Sequence, residues 1–394
     1  MNENIVTPYK LMTPGPTQVL ENVRVARSLE CTNPDLDEGF CEFYKETCQQ
    51  ISRLLHTEAE TLILGGEGIL GLEAACASLT EPGDKVLVLD NGIYGKGFAD
   101  FVSLYGGVPE LYTVDSKNAI DIVCLEQFLE ANHDYKYATV VHCDTPSGML
   151  NPIQDICPLL KRYGIMTVVD SVSGMFGEEV CVDDWGIDIL CGGSQKAVSA
   201  PPGLTFVVVS EDAKQAMHNR KVPIAAFYAN LAVFEGYYEK KWFPYTMPIS
   251  DIYGLREAFN NIEKDNDMLK RHAIIGEATR EAVRKAGLKL YLESGFSNTV
   301  TVFTVPEGIE ASQILKAMRE KYRIMLAGSF GELEGKVIRI GHMGANATFD
   351  NMIETLRGLT NVLEELGVPL QARLDEVFHA ECMRFLSKHG EVRC

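Results

Sequence analysis

Three short strings in this sequence carry residue types that could do chemistry, and each follows an apolar run. Gly66, Gly68 and Gly71 have the spacing G-x-G-x-x-G, which lets backbone N–H groups at a helix N-terminus approach an anion. Asp170 ends a second apolar run, and Lys196 follows a third after small residues. Each string alone has an ordinary structural explanation: a tight turn, a helix cap and a solvated surface lysine.

The glycine loop alone permits three interpretations: a tight turn, a phosphate cradle, or the dinucleotide site of an NAD-dependent dehydrogenase. Asp90, which ends the next apolar run about 20 residues further on, supports the third. Pyridoxal phosphate, however, needs a carboxylate against its pyridine nitrogen and a lysine amine for a Schiff base, and its phosphate needs a helix N-terminus. A dehydrogenase uses neither Asp170 nor Lys196. The three strings together therefore predict pyridoxal phosphate.

The elements that must position these strings alternate between short β-rich runs and helical periods from about residue 60 to residue 210. Such alternation predicts an α/β fold whose mostly parallel central sheet is sandwiched by helices, with functional groups at the carboxyl ends of the strands. The predicted strands span residues 61–64, 85–89, 139–142, 166–170, 187–191 and 204–209. The helical candidates between them include residues 68–79, 125–131 and 153–163.

Beyond Pro248 the pattern changes to long helices, followed by a second, smaller α/β unit and a last helix with an apolar docking face. We therefore predict three parts. They are an N-terminal arm over residues 1–20, a large cofactor-binding domain over residues 21–265 and a small C-terminal domain over residues 266–394.

Composition limits the partners of the chain. The 394 residues include 36 Lys and Arg against 55 Asp and Glu, a formal net charge of −19 that repels nucleic acid and anionic membranes. An anionic substrate then requires a local cationic pocket. No signal peptide or membrane-spanning apolar run is visible, and the 11 cysteines form no CxxC pair. We expect a cytoplasmic protein with reduced thiols, no metal site, and neither a nucleic-acid nor a membrane partner.

Several strings resemble the class V aminotransferases of fold type I, and the resemblance covers nearly the whole chain. Those typical of the alanine or serine to glyoxylate or pyruvate branch are Thr13-Pro-Gly-Pro16, Gly193-Ser-Gln-Lys196, Ala200-Pro-Pro-Gly203 and Val337-Ile-Arg-Ile-Gly-His-Met-Gly344. The segment 141–152 is more similar to the 2-aminoethylphosphonate–pyruvate branch. The Ser-Gln-Lys string is the most specific of these.

The resemblance implies that Lys196 forms the Schiff base with pyridoxal 5′-phosphate and that Asp170 pairs with its pyridine nitrogen. It implies that Tyr94 stacks on one face of the ring, that Val172 packs on the other, and that the Thr145 hydroxyl lies near the ring oxygen. It further implies that the backbone N–H groups of Gly68 and Ile69 and the side chain of Gln195 contact the phosphate. The remaining cofactor-binding residues that it implies are Gly66, Glu67 and, reaching the phosphate of the neighbouring subunit, Thr246. The active site would then be shared across a homodimer.

Arg339 is the candidate for the cationic pocket, because its planar fork can hold a substrate carboxylate; a structural salt bridge is the alternative. Two positions depart from the resemblance. Glu67 stands where relatives carry a small hydroxyl residue, and its carboxylate would repel a phosphate unless it points away or meets a cation. Phe243 stands where a tyrosine is usual. His142, at a strand end, is either structural or an acid–base group.

The sequence therefore predicts an aminotransferase that acts on a small amino donor, alanine or serine, and a small 2-oxo acid, glyoxylate or pyruvate. The nearest alternative is a 2-aminoethylphosphonate–pyruvate aminotransferase. More distant alternatives are a desulfurase or another lyase, disfavoured because residues 326–331 contain no cysteine, a dehydrogenase that uses the glycine loop, and a binding protein that keeps the fold without the activity.

Overall fold

The computed structural model describes residues 9–389 of the chain. The first eight residues of the predicted N-terminal arm and the last five of the chain lie outside this description. The strands are β1 (Lys10–Leu11), β2 (Glu60–Gly65), β3 (Lys85–Asp90), β4 (Val108–Thr113), β5 (Tyr137–Val141), β6 (Cys143–Asp144), β7 (Met149–Leu150), β8 (Met166–Asp170), β9 (Ile189–Gly193), β10 (Leu204–Val209), β11 (Val300–Thr304), β12 (Ile324–Met325) and β13 (Val337–Gly341).

The helices follow the strands closely in the first half of the chain and predominate after β10. They are α1 (Glu21–Ala26), α2 (Glu38–Leu54), α3 (Gly68–Leu79), α4 (Ile93–Leu104), α5 (Ile122–Ala131), α6 (Ile153–Arg162), α7 (Val182–Trp185), α8 (Glu211–His218), α9 (Tyr237–Lys240), α10 (Ile249–Lys264), α11 (Met268–Lys285), α12 (Ala311–Tyr322), α13 (Phe349–Glu365) and α14 (Leu374–His389).

Seven strands form the central sheet in the order β2-β10-β9-β8-β5-β3-β4. Only β10 runs against its neighbours β2 and β9, while the other neighbouring pairs are parallel. The residues of β5 and β10 are buried throughout, which is why these strands are apolar without alternation. The predicted α/β fold with a mostly parallel sheet flanked by helices is confirmed.

The prediction missed β4 and the helix α4 before it. β4 is the edge strand of the sheet and is largely exposed, with Leu111 at 41% and Val108 at 54% of full exposure. It also contains Pro109, which a strand tolerates at an edge, where its missing N–H costs no ladder hydrogen bond. Because the prediction rested on continuous apolar runs, an exposed edge strand gave too weak a signal.

The buried apolar side chains form two large clusters. The first packs the central sheet against its helices and includes Ile63, Val140 and Val207. The second joins α11, α13 and α14 to β11 and β13, and there Leu374 and Phe378 of α14 are fully buried. The last helix therefore docks through its apolar face, as its spacing predicted. The domain boundary near residue 265 stays a prediction.

Among the helices of residues 9–389, none combines the length and the apolar character that crossing a bilayer requires.

Candidate active site

A cavity of about 310 Å³ lies where β8 and β9 end and α3 begins. Most of the site residues predicted from the sequence line it, although they come from distant parts of the chain. These are Glu67, Gly68, Ile69, Tyr94, Thr145, Asp170, Val172, Gln195 and Lys196. Gly66, Thr246 and Arg339 are not among the residues that line it.

Lys196 follows the end of β9 and points its amine into the cavity. Its Nζ donates hydrogen bonds to the Pro14 carbonyl oxygen at 2.7 Å and to the Thr145 hydroxyl at 3.3 Å. Burial lowers the pKa of Lys196 to about 8, and the positive charge of Arg339 acts in the same direction. A minor but appreciable fraction of this lysine is therefore neutral near physiological pH, and only the neutral amine can accept a proton.

Asp170 is the last residue of β8 and is 5% exposed. Its Oδ1 accepts a hydrogen bond from the backbone N–H of Val172 at 2.9 Å. Burial raises the pKa of Asp170 to about 7, against the opposing effects of that hydrogen bond and of Lys196. Because these two effects offset only part of the cost of burying its charge, the Asp170 carboxylate favours a cation beside it, such as the protonated nitrogen of a pyridine ring.

Tyr94 lies in the first turn of α4, and a buried carboxylate that sequence reasoning missed positions this turn. Asp144 Oδ1 accepts a hydrogen bond from the Tyr94 backbone N–H at 3.1 Å, and Ser147 donates its hydroxyl to Asp144 Oδ2 at 2.6 Å. A side chain on Gly92 would collide with the Asp144 carboxyl group at 2.6 Å. Asp144 thus acts as a positioning residue, and its sequence surroundings carried no signal of that role.

Gly15 is a second residue whose role sequence reasoning missed, although the string Thr13-Pro-Gly-Pro16 was noticed. Its φ is +97°, a conformation that favours glycine, and an added Cβ would meet Lys196 Cδ at 2.5 Å. Since the neighbouring Pro14 carbonyl accepts a hydrogen bond from Lys196, the opening string packs directly on the lysine and sets its path.

The glycine loop places Glu67 at the N-cap of α3. Its Oε1 accepts a hydrogen bond from the Ile69 backbone N–H at 3.0 Å, and its Oε2 accepts one from Gln195 Nε2 at 2.8 Å. The expectation that this carboxylate points away or meets a cation is therefore wrong. Gly66 has a structural task, since its N–H donates to the Gly203 carbonyl at 2.8 Å.

Arg339, in β13, reaches the border of the cavity. Its Nε donates to the Gly328 carbonyl, and one Nη donates to the Thr145 carbonyl oxygen at 3.2 Å. Within residues 9–389 it forms no ion pair, so its charge is not committed to a structural salt bridge. The guanidinium stands beside Tyr94 and Lys196 and influences the pKa of both.

Three other residues singled out from the sequence are not among those that line the cavity. His142 is buried and hydrogen-bonded through Nδ1 to the Ser171 hydroxyl at 2.8 Å, and burial lowers its pKa to about 3. This histidine is therefore neutral and structural. Phe243 packs in an aromatic cluster with Tyr44. Thr246 is exposed and donates its hydroxyl to Asp35 Oδ2 at 3.0 Å.

The dehydrogenase interpretation of the glycine loop is wrong. β2, which leads into the loop, is an edge strand and pairs antiparallel with β10. In a dinucleotide-binding fold the corresponding strand lies inside a parallel sheet, beside the point where the strand order reverses. Asp90 Oδ2 instead accepts a hydrogen bond from the Thr113 hydroxyl at 3.1 Å.

The cavity fits one part of pyridoxal phosphate and not the other. The surroundings of Asp170 and Lys196 suit the ring and its aldehyde, because they offer a buried carboxylate and an amine of lowered pKa. The end formed by α3 does not suit the phosphate. There the carboxylate of Glu67 already accepts the hydrogen bonds of Ile69 and Gln195 that the sequence assigned to the phosphate.

Comparison with known proteins shows the family of the chain. The family model of the class V aminotransferases matches residues 16–340. The pyridoxamine–pyruvate transaminase of Mesorhizobium japonicum is 34% identical over 84% of this chain and 86% of its own, and the alanine–glyoxylate aminotransferase of Callithrix jacchus is 30% identical over 90% and 87%. The crystal structure of ureidoglycine–glyoxylate aminotransferase from Bacillus subtilis superimposes with a TM-score of 0.91 at 27% identity, covering 96% of this chain and 99% of that one. This chain belongs to the class V aminotransferases.

Proposed function

We propose that the chain transfers the amino group of a small donor, alanine or serine, to a small 2-oxo acid, glyoxylate or pyruvate. Pyridoxal phosphate is the cofactor typical of the class V aminotransferases, to which the chain belongs. The observation that carries the proposal is that Lys196, with its pKa lowered to about 8, and the buried Asp170 line the same cavity.

A pyridoxal ring, when bound against Asp170, withdraws electrons from the carbon that carries the amino group and so makes its proton removable. Lys196 is the residue that removes this proton, because about half of its buried amine is neutral at pH 8 and can accept it. The Pro14 carbonyl and the Thr145 hydroxyl hold Nζ in one position before the transfer. Tyr94 and Val172 supply walls that exclude water from the ring.

Arg339 binds the substrate carboxylate in this proposal. Its guanidinium carries a positive charge at the border of the cavity, and its contacts with the Gly328 and Thr145 carbonyls fix its orientation. Two parallel hydrogen bonds from such a fork orient a carboxylate. This local charge offsets the repulsion that a chain of net charge −19 exerts on an anionic substrate.

Pyridoxamine is the second candidate for the amino donor. The relative from Mesorhizobium japonicum is named for transfer from pyridoxamine to pyruvate. The contact of Glu67 with Gln195 favours the same pair for this chain, because it leaves the α3 end of the cavity without a phosphate site. The 2-aminoethylphosphonate alternative gains no specific support from the names of the relatives.

We also propose that the protein works in the cytoplasm as a homodimer. Phe227, Tyr228 and Trp242 are each more than half exposed and lie near Thr246 in the chain, which a second copy of the chain would explain. Buried cysteines such as Cys41, Cys76 and Cys191 are free thiols, which a reducing compartment favours.

A half-reaction screen tests the proposed function. The purified protein is loaded with pyridoxal, or in parallel with pyridoxal 5′-phosphate, and mixed with L-alanine, L-serine or 2-aminoethylphosphonate alone. We expect alanine or serine to bleach the yellow absorbance of the loaded protein and to yield its 2-oxo acid in equal amount. Bleaching by 2-aminoethylphosphonate alone would identify the alternative donor, and the absence of bleaching with every donor would contradict the proposed function.

A further inference from the structure

We propose that Glu67 makes this site selective for unphosphorylated pyridoxal and pyridoxamine, which the protein binds as exchangeable substrates instead of holding a phosphorylated cofactor. The inference rests on the proposed function, since it uses the same cavity and the same lysine. It deepens that function by naming the chemical class of the ring compound.

The first argument is that Glu67 already provides the anion at the N-terminus of α3. Its two carboxylate oxygens accept hydrogen bonds from the Ile69 backbone N–H at 3.0 Å and from Gln195 Nε2 at 2.8 Å. Free N–H groups and the positive end of a helix dipole are what a phosphate binds in such a loop. Here an internal carboxylate already stands at this end of the helix dipole and takes the Ile69 N–H, so a phosphate that bound this N–H would have to displace it.

The second argument is electrostatic. A phosphate monoester carries a charge of roughly −1.5 to −2 near pH 7, and it would stand beside the negative carboxylate of Glu67. Asp170 is a further carboxylate of the same cavity, and Glu67 already raises the pKa of Asp170 by its charge. Like charges in a partly buried site repel each other more strongly than they would in water. An uncharged hydroxymethyl group avoids this repulsion.

The third argument concerns hydrogen-bond donors. The Oε1 of Gln195 is buried at the cavity wall and has no hydrogen-bond partner among the residues that the structure describes. Its amide orientation is fixed, because Nε2 must face the carboxylate of Glu67. An unpaired buried acceptor requires a donor. The 5′-hydroxyl of pyridoxal or pyridoxamine has an O–H to donate, whereas a phosphate dianion only accepts.

The fourth argument comes from Thr246, which the sequence predicted to reach the phosphate of the neighbouring subunit. Its hydroxyl donates to the carboxylate of Asp35 at 3.0 Å. If a second subunit brings Thr246 to the cavity, it brings this carboxylate with it. The Asp35 carboxylate would then add negative charge beside the 5′ substituent of the ring and would repel a phosphate there, as Glu67 does.

The reaction balances without any further reagent. The C4′ carbon of pyridoxamine is oxidised from the amine to the aldehyde of pyridoxal, and the carbonyl carbon of the 2-oxo acid is reduced to the amine of the amino acid. The nitrogen and two electrons pass from pyridoxamine to the 2-oxo acid. The carbonyl oxygen of the 2-oxo acid leaves as water, and water supplies the aldehyde oxygen of pyridoxal. Pyridoxamine and pyruvate thus yield pyridoxal and alanine in equal amounts.

Paired binding titrations test the inference. Pyridoxal and pyridoxal 5′-phosphate are titrated separately into the wild-type protein, Glu67→Ser and Glu67→Gln, and binding is followed by visible absorbance. The serine that the first variant introduces keeps an N-cap hydroxyl for α3, so the helix retains its cap. Glu73→Gln is the matched control, because it removes a carboxylate from the same helix, where Glu73 contacts Tyr105 outside the cavity.

We expect wild-type protein to bind pyridoxal at least about tenfold more tightly than pyridoxal 5′-phosphate. Glu67→Ser should shift this ratio toward the phosphate by roughly 10- to 100-fold, the range of one or two charged hydrogen bonds, and Glu67→Gln should shift it less. Glu73→Gln should leave it unchanged. With excess pyridoxamine and pyruvate, wild-type protein should release many equivalents of pyridoxal per subunit.

The inference would be overturned if wild-type protein bound pyridoxal 5′-phosphate as tightly as pyridoxal, or more tightly. It would also be overturned if Glu67→Ser left the ratio of the two affinities unchanged. In both cases, alanine or serine turnover with the phosphorylated ring would leave the proposed function standing. If neither compound develops an absorbance that depends on Lys196, the proposed function fails and the inference fails with it.

Discussion

Arg339 donates a hydrogen bond of 3.2 Å to the carbonyl oxygen of Thr145, whose hydroxyl in turn lies 3.3 Å from the amine of Lys196. One threonine thus connects the guanidinium of β13 with the lysine that follows β9. In the proposed function this link would fix a carboxylate held by Arg339 relative to the amine of Lys196, which is the geometry that amino-group transfer needs.

Replacing Arg339 should separate substrate binding from ring binding. Arg339→Ala is expected to raise the KM for pyruvate and alanine by roughly 10- to 100-fold, because a charge-assisted hydrogen-bond pair is lost. The absorbance of the bound ring should persist. Arg162→Ala, which removes a surface arginine paired with Glu126, is the control for a simple loss of positive charge. An unchanged KM in Arg339→Ala would exclude this residue from the substrate site.

Lys196→Ala should reduce turnover by about 10²- to 10⁴-fold or more, because it removes the proton-accepting amine. Binding of the ring should weaken but persist, since Asp170 and the cavity walls remain. Steady-state rates together with a dissociation constant from dialysis measure the two effects. Wild-type turnover in this variant would refute the assignment of the lysine.

The pH dependence follows from the state of Lys196. Since burial lowers its pKa to about 8 from an ordinary value near 10.5, the fraction of neutral amine rises as the pH increases through 8. The rate at which pyridoxal binds covalently should therefore rise about tenfold per pH unit below 8 and level off above it. Stopped-flow absorbance between pH 6 and pH 9.5 checks this. A rate that still climbs about tenfold per pH unit between pH 8.5 and pH 9.5 would show an ordinary, solvated lysine.

Gly15→Ala tests the packing of the opening string on Lys196. An added Cβ would meet Lys196 Cδ at 2.5 Å in a backbone conformation with a φ of +97°. The lysine must shift, and a displacement of about 1 Å can reduce catalysis by roughly 10²-fold. Gly97→Ala is the control, because an added Cβ there meets no atom within 4 Å among the described residues. If both variants keep wild-type kcat, Gly15 has no part in positioning the lysine.

Much of the site could be predicted from the sequence because strand ends are easy to recognise. Asp170 and Lys196 follow apolar runs that become β8 and β9, and parallel strands bring their carboxyl ends to one edge of the sheet. The glycine spacing likewise predicted the start of α3. Such residues can be predicted because an apolar run marks a buried strand and a glycine spacing marks a helix start, and each of these has a fixed place in an α/β fold.

The remaining parts depend on contacts that no local pattern encodes. Pro14 acts through its backbone carbonyl, so its residue type does not reveal its role. Asp144 positions Tyr94 from a distant segment. The direction of Glu67 depends on Gln195, far along the chain, and a carboxylate at that position alone could equally face solvent. The strand β4 was missed for a related reason. It is an exposed edge strand, and without burial its sequence lacks the continuous apolar run by which strands were predicted.

Reduction with borohydride tests the central claim most directly. The protein is incubated with pyridoxal, reduced, digested and examined by peptide mass spectrometry, with Asp170→Asn treated in parallel. The account predicts a stable pyridoxyl adduct on the peptide that carries Lys196, and a much smaller yield in Asp170→Asn. An adduct spread over surface lysines, with none on Lys196, would contradict it.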